Sequence, residues 1–116
     1  MQYRVWYMKP GFFRDGMMGF DWLDGSGKLP DPADLGKTHV ELKTVEASDL
    51  EQVFYQMQGE VWSPRGEARG LIASKGLQHT SMSVGDVAVY SETLADGRTV
   101  DHVMIVDTFG FKEVYR

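Results

Sequence analysis

Imidazole, carboxylate and hydroxyl groups are the catalytic inventory of this chain, because its 116 residues include three histidines and no cysteine. Without thiols there can be no cysteine nucleophile, no thiolate metal ligand and no disulfide framework. His39 and Glu41 are two apart in an alternating stretch, so on a strand they share a face and offer two ligands to a divalent cation. No third ligand is visible, and a solvated polar face is the simpler reading. Asp101, His102 and Asp107 bracket a second strand-like run, where neighbouring Asp101 and His102 point to opposite faces and make no pair. His79-Thr80-Ser81 puts a base beside two hydroxyls, yet adjacent residues rarely align for attack, which also needs a site for the oxyanion. No Gly-x-Ser-x-Gly elbow, phosphate-binding glycine loop or His-Glu-x-x-His helix occurs. The residues therefore point away from an enzyme, and no metal or cofactor is expected. A small metal-dependent hydrolase using His39, Glu41 and His79 is the third of three functional readings.

Binding chemistry is better represented. Seventeen acids against twelve bases leave a net charge of −5, which argues against a polyanion binder acting through bulk charge. That charge is uneven. Ten acids face three bases between Asp15 and Glu60, a stretch that includes Asp21 and Asp24 beside Trp22, whereas Val61–Gln78 holds Arg65, Arg69 and Lys75 against Glu67 alone. The acidic stretch suits a partner protein with a basic surface, since complementary charge steers and orients association. Exposed aromatics would supply affinity, and Trp22, Trp62, Phe12 and Phe13 are the candidates, although most aromatic residues of a domain this small must be core. Trp62 with Arg65 and Arg69 suits base stacking in a single-stranded nucleic-acid or RNA-binding module, the alternative reading.

The elements that must position these groups follow from periodicity. Gln2–Met8 alternates as a strand, with Tyr3, Val5 and Tyr7 on one face, stopped by Lys9-Pro10-Gly11. A short helical turn is expected between Gly11 and Gly16, then an apolar stretch to Leu23 that something must cover. Asp24–Pro32 is loop chemistry. Thr38–Glu46 reads as a strand with Val40 and Leu42 opposite His39, Glu41 and Lys43. Ser48 and Glu51 form a capping-box pattern ahead of the main helix, whose stripe is Leu50, Val53, Phe54 and Met57 and whose stop is Gly59. Val61–Gly66 reads as a loop. A second helical turn is predicted over Glu67–Lys75, ended by Gly76. Two strands, Val87–Ser91 and Val100–Val106, flank a hairpin turn at Ala95–Arg98, and Phe109–Tyr115 continues as a bent last strand. The pattern is α+β: one domain over residues 1–116, with a mainly antiparallel sheet of four to five strands, one main helix and a short second one. No run approaches the roughly 20 apolar residues of a membrane span and no signal-peptide core is present, so a cytoplasmic protein with no membrane partner is expected.

Two segments carry a family resemblance. The stretch from Val45 through Asp49-Leu50-Glu51-Gln52-Val53-Phe54, followed by His79-Thr80-Ser81-Met82-Ser83-Val84-Gly85-Asp86-Val87, resembles the YodL-like domain, whose members pair an acidic Asp-Leu-x-x-Val/Ile-Phe helix with a Ser-x-Ser-Val-x-Asp-Val run entering a strand. Together the two segments and their flanks span about half the chain. The resemblance implies a small accessory protein of a phage, plasmid or other mobile element, with a host defence component as one class of target. Ser81, Ser83 and Asp86 then belong to the expected binding set with His79, although the same run explains itself as turn chemistry leading into a strand.

Overall fold

Alternation over Gln2–Met8 builds strand β1 as expected, with Tyr3, Val5 and Tyr7 buried in one core and Trp6 packed on a second. This computed structural model describes residues 1–115. Strands β2 (His39–Glu46), β3 (Val87–Thr93), β4 (Thr99–Val106) and β5 (Phe111–Val114) join β1 in an antiparallel sheet of order β2-β1-β3-β4-β5. The α+β class and the five strands agree with the sequence pattern. Helices α1 (Pro10–Gly16) and α2 (Phe20–Gly25) carry Phe12, Phe20 and Leu23 onto one face of the sheet. Helices α3 (Leu50–Gln56), α4 (Gly59–Trp62) and α5 (Arg69–Ser74) carry Val53, Trp62 and Ile72 onto the other.

Several local expectations need correction. The main helix is capped by Asp49, whose carboxylate accepts from the Gln52 N–H at 2.9 Å, and not by Ser48. Asp at this position serves the same free donors as Ser. Gly59 opens α4 where a stop was expected, because the chain turns at Met57–Gln58 and resumes helix at once. Val61-Trp62 thus lies in a helical turn and not a loop. Only α1 and α5 answer to predicted helical turns besides the main helix; α2, inside the apolar stretch before Leu23, and α4 were not anticipated. Gly76 does end α5: it adopts φ 69°, its N–H reaches the Ala73 carbonyl at 3.0 Å and the Leu77 N–H reaches Ile72 at 3.0 Å, the paired bonds of a left-handed C-terminal cap.

Strand β2 is not a plain alternation either. Val5 pairs with Lys43 but Trp6 pairs with Glu41, so Leu42 is an extra residue, a β-bulge. The bulge reverses the parity of the strand, so Lys43 and Val45 share the face of Val40; His39 stays on the face opposite Val40, but Phe12 of α1 and the Gly85 carbonyl cover that face and leave it 1% exposed. The solvated polar face expected for His39 is therefore wrong for that residue, although Glu41 is exposed.

Candidate functional site

The Ser81–Asp86 run forms a tight corner at the start of β3. The Asp86 N–H donates to the Ser83 carbonyl at 2.9 Å, and the Asp86 carboxylate accepts the Ser83 N–H in return at 2.8 Å. That carboxylate is fully buried, and it also accepts the Met8 N–H at 2.8 Å and His79 Nε2 at 2.8 Å. Burial raises the Asp86 pKa, opposed by the His79 bond and then by the two backbone donors. The His79 ring stacks on Tyr7 at 4.5 Å and meets Phe13 edge-on at 5.0 Å. The Tyr7 hydroxyl donates to the Thr80 carbonyl at 2.7 Å, and burial, then the Asp86 charge, raises its pKa. Gly85, with φ 98°, lets the corner touch the backbone of Gly16: a side chain there would lie 2.8 Å from the Gly16 carbonyl.

His39 locks the other side of the corner. Its Nε2 lies 2.8 Å from the Gly85 carbonyl, which can only accept, so Nε2 carries the proton and Nδ1 accepts from the Thr38 hydroxyl at 2.7 Å. Burial, with a smaller contribution from His79, lowers its pKa to about 4 against the Gly85 bond. Both nitrogens are engaged and Glu41 points to solvent, so the two do not converge on a cation. Among the described residues no group of three or more histidine, aspartate or glutamate side chains is arranged to hold a metal.

An aspartate that fixes a histidine through Nε2 leaves Nδ1 as the basic atom, the arrangement that activates a nucleophile. No hydroxyl of the described residues bonds to Nδ1, and those nearby are committed elsewhere. Ser81 Oγ accepts from the Gly59 N–H at 2.8 Å, and Ser83 Oγ donates to the Ser81 carbonyl at 3.1 Å. The four predicted residues His79, Ser81, Ser83 and Asp86 are thus brought together, as a brace joining β1, α4 and β3.

The other predicted residues are scattered. Trp62, at the end of α4, is half-buried against the core, donates its indole N–H to the Thr80 carbonyl at 3.0 Å and carries the Lys43 ammonium 5.0 Å above its ring. The ring that was to stack on a base is thereby occupied. Arg65 and Arg69 are exposed. On the opposite side of the sheet, Trp22 is half-exposed beneath the Lys28 ammonium at 5.3 Å, beside a cleft of about 410 Å³ shared with Arg14 and Met18. Asp21 and Asp24 are exposed around it.

A partly uncovered apolar surface lies where the sequence pattern showed no binding residue. One row crosses the sheet from Val45 to Tyr3, whose ring meets Tyr90 edge-on at 5.7 Å, and on to His102. Val45 and Tyr3 are 7% and 4% exposed beneath α3, but Tyr90 is only half-buried, and Tyr115, one residue past β5, is 76% exposed. At this row the helical layer ends between β1 and β3, whereas farther along the same face Ala88 of β3 and Val106 of β4 are buried in the core with Val53 and Met57. Beyond the end of the layer Tyr90, Met104 and Phe111 are half-buried on this face, Tyr90 and Phe111 against the edge of the core, with exposed Val100 at one end and Phe54 of α3 at the other. A cleft of about 220 Å³ between Phe54 and Phe111 closes the upper end of this strip, and one of about 390 Å³ between Val100 and Tyr115 the lower.

His102 sits in the middle. Its Nδ1 is 2.9 Å from Glu113 and its Nε2 is 2.8 Å from Glu92. Carboxylates only accept, so with both contacts made the ring is an imidazolium, and the Glu113 bond, then the Glu92 bond, raise its pKa. Tyr90 stacks on it at 4.7 Å. Alternation in three strands could have shown this surface, had the side chains of Tyr90, Glu92, Val100, His102, Met104 and Glu113 been assigned to one face and the helices counted against the width of the sheet.

No known protein family, curated protein or solved structure matches the chain. The YodL-like resemblance rests on the Asp49–Phe54 and His79–Val87 segments alone. No helix among the described residues is long and apolar enough to cross a membrane.

Proposed function

We propose that this chain is a non-enzymatic protein-binding module whose contact surface is the uncovered strip of β3, β4 and β5. The observation that carries the reading is the decline of burial along the Val45–Tyr3–Tyr90–His102 row, which leaves aromatic and methionine side chains facing outward on a rigid sheet. Contiguous exposed apolar surface rimmed by polar groups is the usual mark of an interaction site, and Tyr, Phe and Met are enriched in interface cores. A cytoplasmic role as an accessory protein of a phage or mobile element, directed at a host defence component, is the setting the YodL-like resemblance implies and forms part of the proposal. Single-stranded nucleic-acid binding has less support, because the Trp62 ring is engaged by Lys43 and the core.

The test is an affinity capture from the producing cell with the wild type, Met104→Glu and Tyr115→Asp, each checked for a native circular dichroism melt. A partner held by the wild type and lost by both variants supports the reading. Equal recovery by all three, or no protein above background, overturns it. Tyr115→Asp keeps the test valid if Met104→Glu fails to fold, since Tyr115 is largely exposed.

A further inference from the structure

The uncovered strip has a definite size and sign. It spans β3 to β5, two interstrand spacings, which is about 10 Å and close to the 10–12 Å diameter of an α-helix with its side chains. Along the strands it runs from Phe111 to Tyr115, about 13 Å at the usual strand rise, or two to three helical turns. A helix already lies beside it, since α3 packs Val53 and Met57 on the same face of the sheet. A second helix laid next to α3 would complete the layer in the way that helices ordinarily cover a sheet.

The net charge at both ends is negative. Glu51 and Asp107 line the upper cleft and Asp101 and Glu113 the lower, and no lysine or arginine of the described residues lines either. Glu92 adds a further carboxylate at the lower end, where His102 offsets one charge of the Glu92–Glu113 pair. Asp101 is turned toward Arg4 at 3.1 Å and Asp107 accepts the Phe20 N–H at 3.0 Å, while Glu92 and Glu113 share the single His102 cation, so Glu51 and the net negative charge left on the Glu92–Glu113 pair are what a partner's cations would meet.

We propose that the occupant of the strip is an amphipathic helix of another protein, apolar on one side and flanked by lysine or arginine, which seats beside α3 and exchanges its cations with Glu51, Glu92 and Glu113. This rests on the reading of the strip as the contact surface and adds the class of partner. The apolar anchors are Tyr90, Met104, Phe111 and Tyr115. A second copy of this chain fits less well, because its own strip carries the same acidic ends and like charges would face one another.

The test is a titration of the full ¹⁵N-labelled chain with three synthetic 16-residue peptides, followed by amide shifts. One peptide has a leucine stripe flanked by lysines, one replaces each lysine by glutamate, and one carries the lysine sequence with two central prolines that forbid a helix. The expected result is binding of the lysine peptide with shifts centred on Tyr90, Met104, Phe111 and Glu113, and affinity at least about tenfold weaker for each of the other two, in line with complementary charge at an interface rim. Glu92→Gln with Glu113→Gln weakens the lysine peptide severalfold in a chain whose amide spectrum remains that of the folded protein. Equal binding of the lysine and glutamate peptides, undiminished binding of the proline peptide, shifts centred away from the strip, or no binding each overturns the helix proposal. If the peptides fail while Met104→Glu and Tyr115→Asp still lose a cellular partner, the strip remains the contact surface and only the class of occupant is wrong.

Discussion

Acid should unfold this protein through His39. The folded ring is neutral, with a pKa lowered to about 4 against an ordinary value of 6.5. Between those values the unfolded chain binds a proton that the folded chain refuses, so stability is fully present above 6.5 and falls as pH drops toward 4. Each unit of difference is about 1.4 kcal/mol, which gives a limit of about 3 kcal/mol and, between pH 7 and pH 5, a loss of about 2 kcal/mol. Asp86 acts in the opposite sense, because its raised folded pKa makes the folded state the better proton acceptor as pH falls, so the observed loss is somewhat smaller. Asp96 and Asp101, whose pKa values are lowered, contribute only further into acid. The assay is urea unfolding at pH 7 and pH 5 of the wild type and His39→Gln, where the glutamine keeps a donor for the Gly85 carbonyl and cannot titrate. With a urea dependence of about 1.5 kcal/mol per molar, the wild-type midpoint falls by roughly 1 M and that of the variant much less. Equal loss in both proteins would refute the assignment of a buried, neutral His39.

Other predictions concern the corner, the cap and the pinned histidine. Gly85→Ala combines a left-handed backbone with contact on Gly16 and Met8 and should cost about 3 kcal/mol or more, whereas Gly97→Ala, also left-handed but facing open space, should cost only about 1–2 kcal/mol; thermal melts of the two compare them. Asp49→Ala should cost about 1 kcal/mol and Ser48→Ala close to nothing, which denaturant unfolding resolves and which would be reversed if the capping box began at Ser48. In a proton NMR titration, His102 should lose its proton above the ordinary histidine value, and Glu113→Gln should bring it back down. The stability His102 contributes is accordingly present below that ordinary value and lost as pH rises through the raised one.

Much of the fold is legible in the residues. Tyr3, Val5 and Tyr7 alternate, Val53 and Met57 recur at helical spacing, and Ala95–Arg98 has turn chemistry, and each signal is local. What escaped notice is what depends on pairing between strands. The bulge at Leu42 arises from the register of β2 on β1 and changes the face of Lys43, and His39 is buried because Phe12 and Gly85, distant from it in sequence, cover its face. Asp86 looked like an ordinary turn residue because the Met8 N–H and His79 that surround it come from elsewhere in the chain. Trp62 looked available because neither Thr80 nor Lys43 is near it in sequence. The strip was hidden for the same reason: Tyr90, Met104 and Phe111 are ordinary strand residues until the width of the helical layer is set against the width of the sheet.

The most direct test of the strip as the contact surface is in-cell photo-crosslinking from single positions, with the photoreactive side chain at Tyr115 in one strain and at Trp22, on the opposite side of the sheet, in another. A discrete crosslinked product to another protein from Tyr115, with little or none from Trp22, is the predicted result. Crosslinking confined to Trp22, or absent from both, would contradict it.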